Sequence, residues 1–522
     1  AKPELAIDSS ALGGMYAGAI KLVGTEAGVG VKLDGTLAAS GGDIQLDANG
    51  RLSMAQTQAT GNVKVTAQNV DLTDKVYAAG NVQVTSAQAL VNQKSVAAGQ
   101  RIDINAATVN NPGIIEAGVA ADNTRNTTGD LVINAQTVTT TGNLLASRNL
   151  AITAAQALTN QGAIIQAKTV DVSSAKLTNQ GATARLFGEQ SLALNSPAIV
   201  NLGGLIRFGD GQAASLNSAS LDNRQGRIEM AGGSLVLTSA DLNNNGGQII
   251  ANNLTVNAGS LNNQNGVVVA GATTVNATDL DNSLKGLIQA DAGALTLNVT
   301  NAFNNSQGFA QASTDLNLNA GSLSSNANGV LSADTGKLTL VTAQQLNNAQ
   351  GRLQAGKGDI ELHAASLDNQ SGVIVGKQLL LAAGDIDNRA GTVLGNAVDV
   401  TAGTLNNSSK GSLISDAGDV TLNISDLLTN TGGAIDAGER SVLVKQLTTL
   451  NNSGGLLRGK RLDITAQHLN NDNGQLLAGN LGLNYSGQEL SNRKGLILSG
   501  GALTELTTGS LDNQGGTVQG YT

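Results

Sequence analysis

The chain has 522 residues, and its composition limits the kinds of protein it can be. A formal net charge of −9 argues against nucleic acid or an anionic membrane surface as the main partner. The absence of cysteine excludes disulfides and thiolate metal sites, and 66 glycines with 2% aromatic residues predict a slim interior of Ala, Val, Ile and Leu. No apolar run approaches the roughly 18 residues of a membrane-spanning helix, so we expect no membrane insertion.

The first 57 residues are the least repetitive part of the chain. GAIKLVGT and GDIQLDANG alternate apolar and polar residues, as strands do. We therefore predict a strand-rich leading segment over residues 1–57 and a repeat region over residues 58–522. Because the sequence starts at AKPEL and stops at GTVQGYT within a repeat, we expect it to be a segment of a longer polypeptide.

One unit recurs through the repeat region, as in LNNQNGVVVAGATTVNATD at Leu261–Asp279. It consists of an apolar anchor, Asn two residues later, then Gly and an alternating apolar run. Successive anchors lie 19 to 23 residues apart, a period that belongs to solenoids. The anchors are Leu158, Leu177, Ile199, Leu221, Leu242, Leu261, Leu280, Phe303, Leu323, Leu346, Leu367, Ile386, Leu405, Leu428, Leu450, Leu469, Leu490 and Leu511.

The spacing within each unit favours strands over helices. Apolar residues alternate with period two, as at Leu254, Val256 and Ala258. Gly and Asn, which accept left-handed corner conformations, recur too often for the helices of helical repeats. We predict an all-β solenoid of about 21 residues per turn, with short strands stacked in parallel about 4.8 Å apart.

The asparagine two residues after each anchor would fall in one column of such a coil. Side-chain amides stacked in this way can hydrogen bond from turn to turn. We therefore predict that these residues form corners and a structural column, which comprises Asn223, Asn244, Asn263, Asn282, Asn369, Asn388, Asn407, Asn452, Asn471 and Asn513.

Two stretches depart from the period. The first, near residues 112–130, contains Pro112 and the polar run ADNTRNTTGD, which predict a loop that leaves the stack. The second, residues 185–220, contains Phe187, Arg207 and Phe208 in a chain with few aromatic residues. Phe208 beside Arg207 would offer a partner an exposed apolar and cationic contact, and the alternative is a bulged turn packed on itself.

Residues suited to catalysis or metal binding are sparse. His363 and His468 both lie at outward positions of distant repeats, so we expect solvated side chains and no shared site. The acids that follow an anchor predict either a solvated face or a weak divalent-cation ladder; they are Asp222, Asp281, Asp368, Asp387 and Asp512. Because charged residues are only 13% of the chain and are scattered, we expect no cofactor and no enzyme activity, and a polysaccharide lyase-like β-helix is the least favoured alternative.

The repeats LDNRQGRIEMAGGSLVLTSADLNN, LNNQNGVVVAG and LDNQGGTVQG resemble those of the filamentous haemagglutinin family, the large exoproteins of bacterial two-partner secretion. The stretch SALGGMYAGAIKLVGTEAGVGV (Ser10–Val31) is similar to the segment that opens the repeat region in haemagglutinin-like adhesins and contact-dependent growth inhibition toxins. Together these features cover nearly the whole chain.

The resemblance implies a right-handed parallel β-helix on the outer surface of a Gram-negative bacterium. It also implies export through an outer-membrane partner protein. The expected function is that of a stalk, which holds a receptor-binding region, and in some members a C-terminal toxin, away from the producing cell. The alternative is an adhesin whose β-helix itself binds a surface glycan or protein.

Overall fold

The computed structural model describes residues 4–9, 13–211, 213–501 and 504–521. Residues 1–3, 10–12, 212, 502–503 and 522 lie outside the described part, and they include the start of the predicted leading segment and the first three residues of the stretch Ser10–Val31. Two compact units are distinguished, Ala1–Ala258 and Gly259–Thr522. Every regular element among the described residues is a β-strand, and no helix there has the length and hydropathy needed to cross a membrane.

Strands follow one another closely in the first unit. They are β1 (Leu5–Asp8), β2 (Met15–Ala17), β3 (Ile20–Gly24), β4 (Gly30–Leu33), β5 (Leu37–Ala39), β6 (Ile44–Ala48), β7 (Arg51–Met54), β8 (Thr57–Ala59), β9 (Val63–Ala67), β10 (Asn69–Leu72), β11 (Lys75–Ala78), β12 (Val82–Asn92), β13 (Ser95–Ala98), β14 (Arg101–Asn111), β15 (Ile114–Ala117), β16 (Asp130–Thr140), β17 (Leu144–Ala146), β18 (Asn149–Gln161), β19 (Ile164–Gln180), β20 (Arg185–Asn195), β21 (Ala198–Val200), β22 (Leu205–Phe208), β23 (Ala213–Asp222) and β24 (Arg227–Asn243), followed by β25 (Gln248–Asn262), which ends in the second unit.

The second unit continues with strands of the same kind. They are β26 (Val267–Asp281), β27 (Leu287–Ala290), β28 (Leu295–Asn304), β29 (Phe309–Ala312), β30 (Leu316–Ser325), β31 (Val330–Ala333), β32 (Leu338–Thr342), β33 (Gln345–Asn347), β34 (Arg352–Ala355), β35 (Ile360–Asp368), β36 (Val373–Val375), β37 (Gln378–Asp387), β38 (Thr392–Gly395), β39 (Ala397–Asn406), β40 (Ser412–Ser415), β41 (Val420–Thr429), β42 (Ala434–Asp436), β43 (Ser441–Asn451), β44 (Leu456–Gly459), β45 (Arg461–Asn470), β46 (Gln475–Ala478), β47 (Leu483–Ser486), β48 (Glu489–Ser491), β49 (Leu496–Ser499), β50 (Thr504–Thr507), β51 (Ser510–Asp512) and β52 (Thr517–Gly520).

Strands of successive turns pair in parallel, with equivalent residues side by side. In the first unit Val76 of β11 pairs with Val96 of β13, which pairs with Ile115 of β15. In the second unit Leu362 of β35 pairs with Leu381 of β37. The predicted all-β parallel solenoid of about 21 residues per turn is therefore confirmed.

The interior of each unit is a stack of small and medium apolar side chains. Burial alternates along the strands, so that in β6 Ile44 and Leu46 are fully buried while Gln45 between them is only half-buried. The largest fully buried side chains include Tyr485, Phe208 and Phe303. The interior of the coil is narrow and closely packed, so it has space for few large side chains. This limit explains the scarcity of aromatic residues.

The leading segment and the stretch at residues 185–220 are also built from stacked strands. Strand β6 pairs with β9 across residue 57, where the leading segment was predicted to end. Strands β19, β20, β22 and β24 pair in succession through residues 185–220. Between β15 and β16 the chain leaves the regular path, and the residues concerned, 118–129, are called the excursion below.

Candidate functional site

The anchor motif forms a tight corner, as the sequence around Leu367 illustrates. Asp368 accepts a hydrogen bond from the backbone amide of Gln370 through Oδ1 at 3.0 Å, which closes a turn. Ser371 then takes the left-handed conformation with φ of 55°, and the amide of Gly372 donates to the carbonyl of Asn369 at 3.0 Å. A Cβ at Gly372 would lie 2.3 Å from the carbonyl oxygen of Asn348 in the preceding turn, so glycine is required.

The asparagine of each corner points into the interior and bonds along the stack. Asn369 is fully buried, and its Nδ2 donates to Oδ1 of Asn388 at 2.6 Å and to the carbonyl of Gly372 at 3.4 Å. Asn348 also reaches the next turn, where it donates to the carbonyl of Val373 at 3.4 Å. Each amide therefore fastens its own corner and the corner that follows it.

The ten asparagines predicted for the column all make such bonds, within one unit or the other. In the first unit Asn223 donates to Asn244 at 2.7 Å. In the second unit the donor and acceptor pairs include Asn263 with Asn282, Asn369 with Asn388, Asn388 with Asn407, and Asn452 with Asn471, while Asn513 accepts from Asn492.

The column contains further residues that the predicted set omitted. They are Asn92, Asn111, Asn160, Asn179, Asn201, Asn305, Asn326, Asn348, Asn430 and Asn492. Most lie two residues after an anchor, so the rule that found the others would have found them. Asn326 lies three residues after Leu323, because the pairing with the preceding turn shifts register by one residue there.

The acids that follow an anchor act in corners. Asp222, Asp281, Asp387 and Asp512 each accept a hydrogen bond from the amide two residues on, as Asp368 does. Hydrogen bonds from Arg224 and Arg493 lower the pKa of the Asp222 and Asp512 carboxyls, respectively. Within the described ranges, no group of three or more His, Cys, Asp or Glu could hold a metal ion, and a cation ladder stays a prediction.

Each of the two histidines contacts a surface carboxylate, and the two contacts are separate. His363 Nε2 is 2.9 Å from a carboxylate oxygen of Glu361, which also pairs with Lys337, and this lysine and then His363 lower the pKa of Glu361. His468 Nδ1 lies 2.9 Å from Glu489. These contacts join neighbouring turns or neighbouring residues, and they bring together no nucleophile and base of the kind that catalysis requires.

The predicted partner contact at Phe187, Arg207 and Phe208 needs one correction. Phe208 is only 1% exposed, because it lies two residues after the buried Ile206 and shares its inward face. Phe187 and Arg207 are half-buried on the outer face, with the guanidinium 4.9 Å from the ring centroid and 3.6 Å from a Glu229 oxygen. A partner contact at these two residues stays a prediction.

The comparison with known proteins places the chain in a family. The haemagglutinin repeat family matches residues 4–56, 58–135, 78–206, 207–292, 292–354, 417–483 and 480–515, well over half of the sequence. No solved structure matches the chain.

Several curated proteins share short stretches with the chain. It is 55% identical over 71 residues to the tRNA nuclease CdiA of Escherichia coli, a match that covers 14% of this chain and 2% of that protein. It is 49% identical over 70 residues to the 16S rRNA endonuclease CdiA of Enterobacter cloacae, covering 13% and 2%. A match to the tRNA nuclease CdiA-2 of Burkholderia pseudomallei is 55% identical over 53 residues, covering 10% and 2%. The matched stretches are a small part of these relatives, and the family matches extend over most of this chain: it belongs to the haemagglutinin repeat family.

Proposed function

We propose that this segment is the stalk of a secreted exoprotein exposed on the outer surface of a Gram-negative bacterium. The observation that carries the proposal is the buried asparagine column, which repeats turn after turn in each unit. A column of this kind builds length in equal increments. The column therefore favours a spacer between other parts of a protein over a catalytic site at one place in the chain.

The parent protein is proposed to act in contact-dependent growth inhibition or adhesion. The relatives are named as nucleases and toxins, and the chain spans a small share of their length. In this proposal a receptor-binding region and a C-terminal toxin belong to other parts of the parent chain. An outer-membrane transporter of the two-partner secretion type would be the partner during export, and the segment itself would be non-enzymatic.

A deletion of whole turns in the parent exoprotein tests the proposal. Removing residues 367–404 joins Ser366 to Leu405, so that one anchor replaces another and two turns are lost. The stack should shorten by about 10 Å, two strand spacings. We expect unchanged surface display and unchanged choice of target cell, measured by binding of producing cells to target cells. Lost recognition by a protein that is still displayed would overturn the stalk proposal.

The matched control is a deletion of the same number of residues elsewhere in the regular repeats. Removing residues 242–279, which number 38 as residues 367–404 do, joins Asp241 to the anchor Leu280 and also takes out two whole turns. If the segment is a spacer, the two deletions should have the same effect, because only the number of turns matters. A loss of recognition in one deletion alone would place a receptor contact in the turns that it removed.

A further inference from the structure

Asparagine followed directly by glycine occurs five times in the chain, and such pairs are prone to a chemical change that needs no enzyme. The backbone nitrogen of the glycine can attack the side-chain carbonyl carbon of the asparagine, because glycine has no Cβ to hinder the approach. In a folded chain, the contacts of that nitrogen decide whether the attack occurs. The pairs are Asn49–Gly50, Asn245–Gly246, Asn265–Gly266, Asn328–Gly329 and Asn473–Gly474.

Three of these pairs lie in anchor corners of the second unit, where the glycine nitrogen is held by a hydrogen bond. At Asn328, which has φ of 55°, the amide of Gly329 donates to the carbonyl of the column residue Asn326 at 2.8 Å. The equivalent amides of Gly266 and Gly474 donate in the same way, at 3.0 Å and 2.9 Å. Attack requires that the nitrogen lose this hydrogen and turn toward the preceding side chain, so the bond that closes the corner opposes it.

The pair Asn49–Gly50 connects β6 to β7 in the first unit, and its glycine nitrogen is not held in this way. The amide of Gly50 makes no hydrogen bond with any residue that the structure describes. The Asn49 side chain is exposed, and its Nδ2 donates to the carbonyl of Thr25 at 3.3 Å, a long hydrogen bond. Gly50 and Gly329 are both buried, so burial does not distinguish the two pairs. The hydrogen bond of the glycine amide does.

The sequence provides a close comparison for this difference. Asn49 and Asn328 both lie in the tripeptide Ala-Asn-Gly, so the residues on either side of the two asparagines are the same. The corner of Asn245–Gly246 is of another kind, because there the amide of Gly247 donates to the column and Gly246 has φ of 63°. Asn328 is therefore the asparagine against which the reactivity of Asn49 is best measured.

We propose that Asn49 is a site of spontaneous deamidation in the folded chain, and that the corner hydrogen bond protects Asn265, Asn328 and Asn473. The Gly50 nitrogen gives its proton to a base in the solvent and bonds to Cγ of Asn49, and the side-chain nitrogen leaves as ammonia. Water then opens the five-membered succinimide ring at one of its two carbonyl carbons, which yields aspartate or isoaspartate. The reaction takes up one water and releases one ammonia, without an oxidant or a reductant.

The modified residue would lie where the backbone is bonded to the turns on both sides. The Asn49 amide donates to the carbonyl of Gly24 at 3.1 Å, and the Asn49 carbonyl accepts from the amide of Gly28 at 2.8 Å. The Gly50 carbonyl accepts from the amide of Gln68 at 2.9 Å. Isoaspartate lengthens the backbone by one carbon between these groups, so β6 and β7 should open more often. The proposal is independent of the stalk function, because an unmodified chain would still be a spacer.

Incubation of the full 522-residue chain at mildly alkaline pH, followed by peptide mapping with mass spectrometry, tests the proposal. Asn49 should convert at least tenfold faster than Asn328 in the folded chain. In urea the two should convert at similar rates, because only the fold distinguishes them. Amide hydrogen exchange in β6 and β7 should accelerate as isoaspartate accumulates. Asn49→Gln should abolish this change, because the longer side chain closes a ring far more slowly, and the matched variant Asn328→Gln should leave it as in the parent.

Three results would overturn the proposal. One is conversion of Asn49 that is no faster than that of Asn328 in the folded chain, since the glycine amide would then not control the reaction. Another is the same difference in rate between the two in urea, which would assign it to more distant sequence. The third is exchange in β6 and β7 that stays unchanged after Asn49 has converted, because the modification would then not loosen the turns.

Discussion

Asn369 donates its side-chain amide to Oδ1 of Asn388 at 2.6 Å, and both side chains are buried. A buried amide without partners costs free energy, so this bond stabilises the stack chiefly because its loss would leave polar groups unpaired. The same relation recurs along the column in each unit. The column therefore gives each turn a fixed position on the preceding one.

Asn388→Ala should destabilise the turns around it. The substitution leaves Asn369 without its acceptor and Asn407 without its donor, at a cost of about 2–4 kcal/mol for the two groups. Amide hydrogen exchange in β37 to β39 should accelerate accordingly, because it reports local opening. Asn317→Ala, at an exposed position of β30, is the control and should change exchange little. Equal effects of the two substitutions would contradict the role given to the column.

Gly372→Ala should prevent the corner from closing. Its Cβ would lie 2.3 Å from the backbone oxygen of Asn348, and the backbone must move to relieve the contact. A loss of at least about 2 kcal/mol is expected in urea unfolding. The neighbouring Ser371→Gly should leave stability unchanged or raise it, because φ of 55° suits glycine. A stable Gly372→Ala chain would show that the corner is looser than described.

Adjacent leucines in β37 provide a test of strand register. Leu381 is 1% exposed and Leu380 is 38% exposed. Leu381→Ala should cost about 2–5 kcal/mol, as core truncations do, whereas Leu380→Ala should stay within about 0.5 kcal/mol of the parent. Urea unfolding of both variants measures the difference. The opposite order of stabilities would show that Leu380 faces the interior in place of Leu381, and that the strand register is wrong.

Tyr485 should make the second unit sensitive to alkali. Its hydroxyl lies 2.8 Å from the carbonyl oxygen of Glu489, and burial raises its pKa to about 12. The unfolded chain releases this proton near its ordinary value of 10.0, so the stabilisation is complete below pH 10 and is lost as pH rises toward 12. Thermal unfolding across this range should show the loss. Tyr485→Phe should be less stable at neutral pH and show less of the alkaline decline, and an unchanged decline would exclude Tyr485 as its source.

Much of the fold could be predicted from sequence because its elements are local and repeated. The anchor Leu367 and its asparagine recur at nearly constant spacing, and the corner requires those residue types whatever the rest of the chain does. The inward position of Phe208 could also have been predicted, because Phe208 lies two residues after Ile206 and alternate residues of a strand face the same side. The path of the excursion could not, because it depends on a contact between Asn126 and Gly99, and only the folded chain brings these two residues together.

The central claim is that one turn, measured from anchor to anchor, is the unit from which the chain is built. The most direct test is urea unfolding of two deletion variants of the full chain, monitored by the β-sheet circular dichroism signal. Deletion of residues 367–404 leaves each anchor stacked on an anchor of the neighbouring turn. The variant should unfold cooperatively, at a urea concentration close to that of the parent. Deletion of residues 367–376 places corners over strands and should remove ordered structure from the adjoining turns. Equal stability of the two deletions, or collapse of the whole-turn deletion alone, would contradict the account.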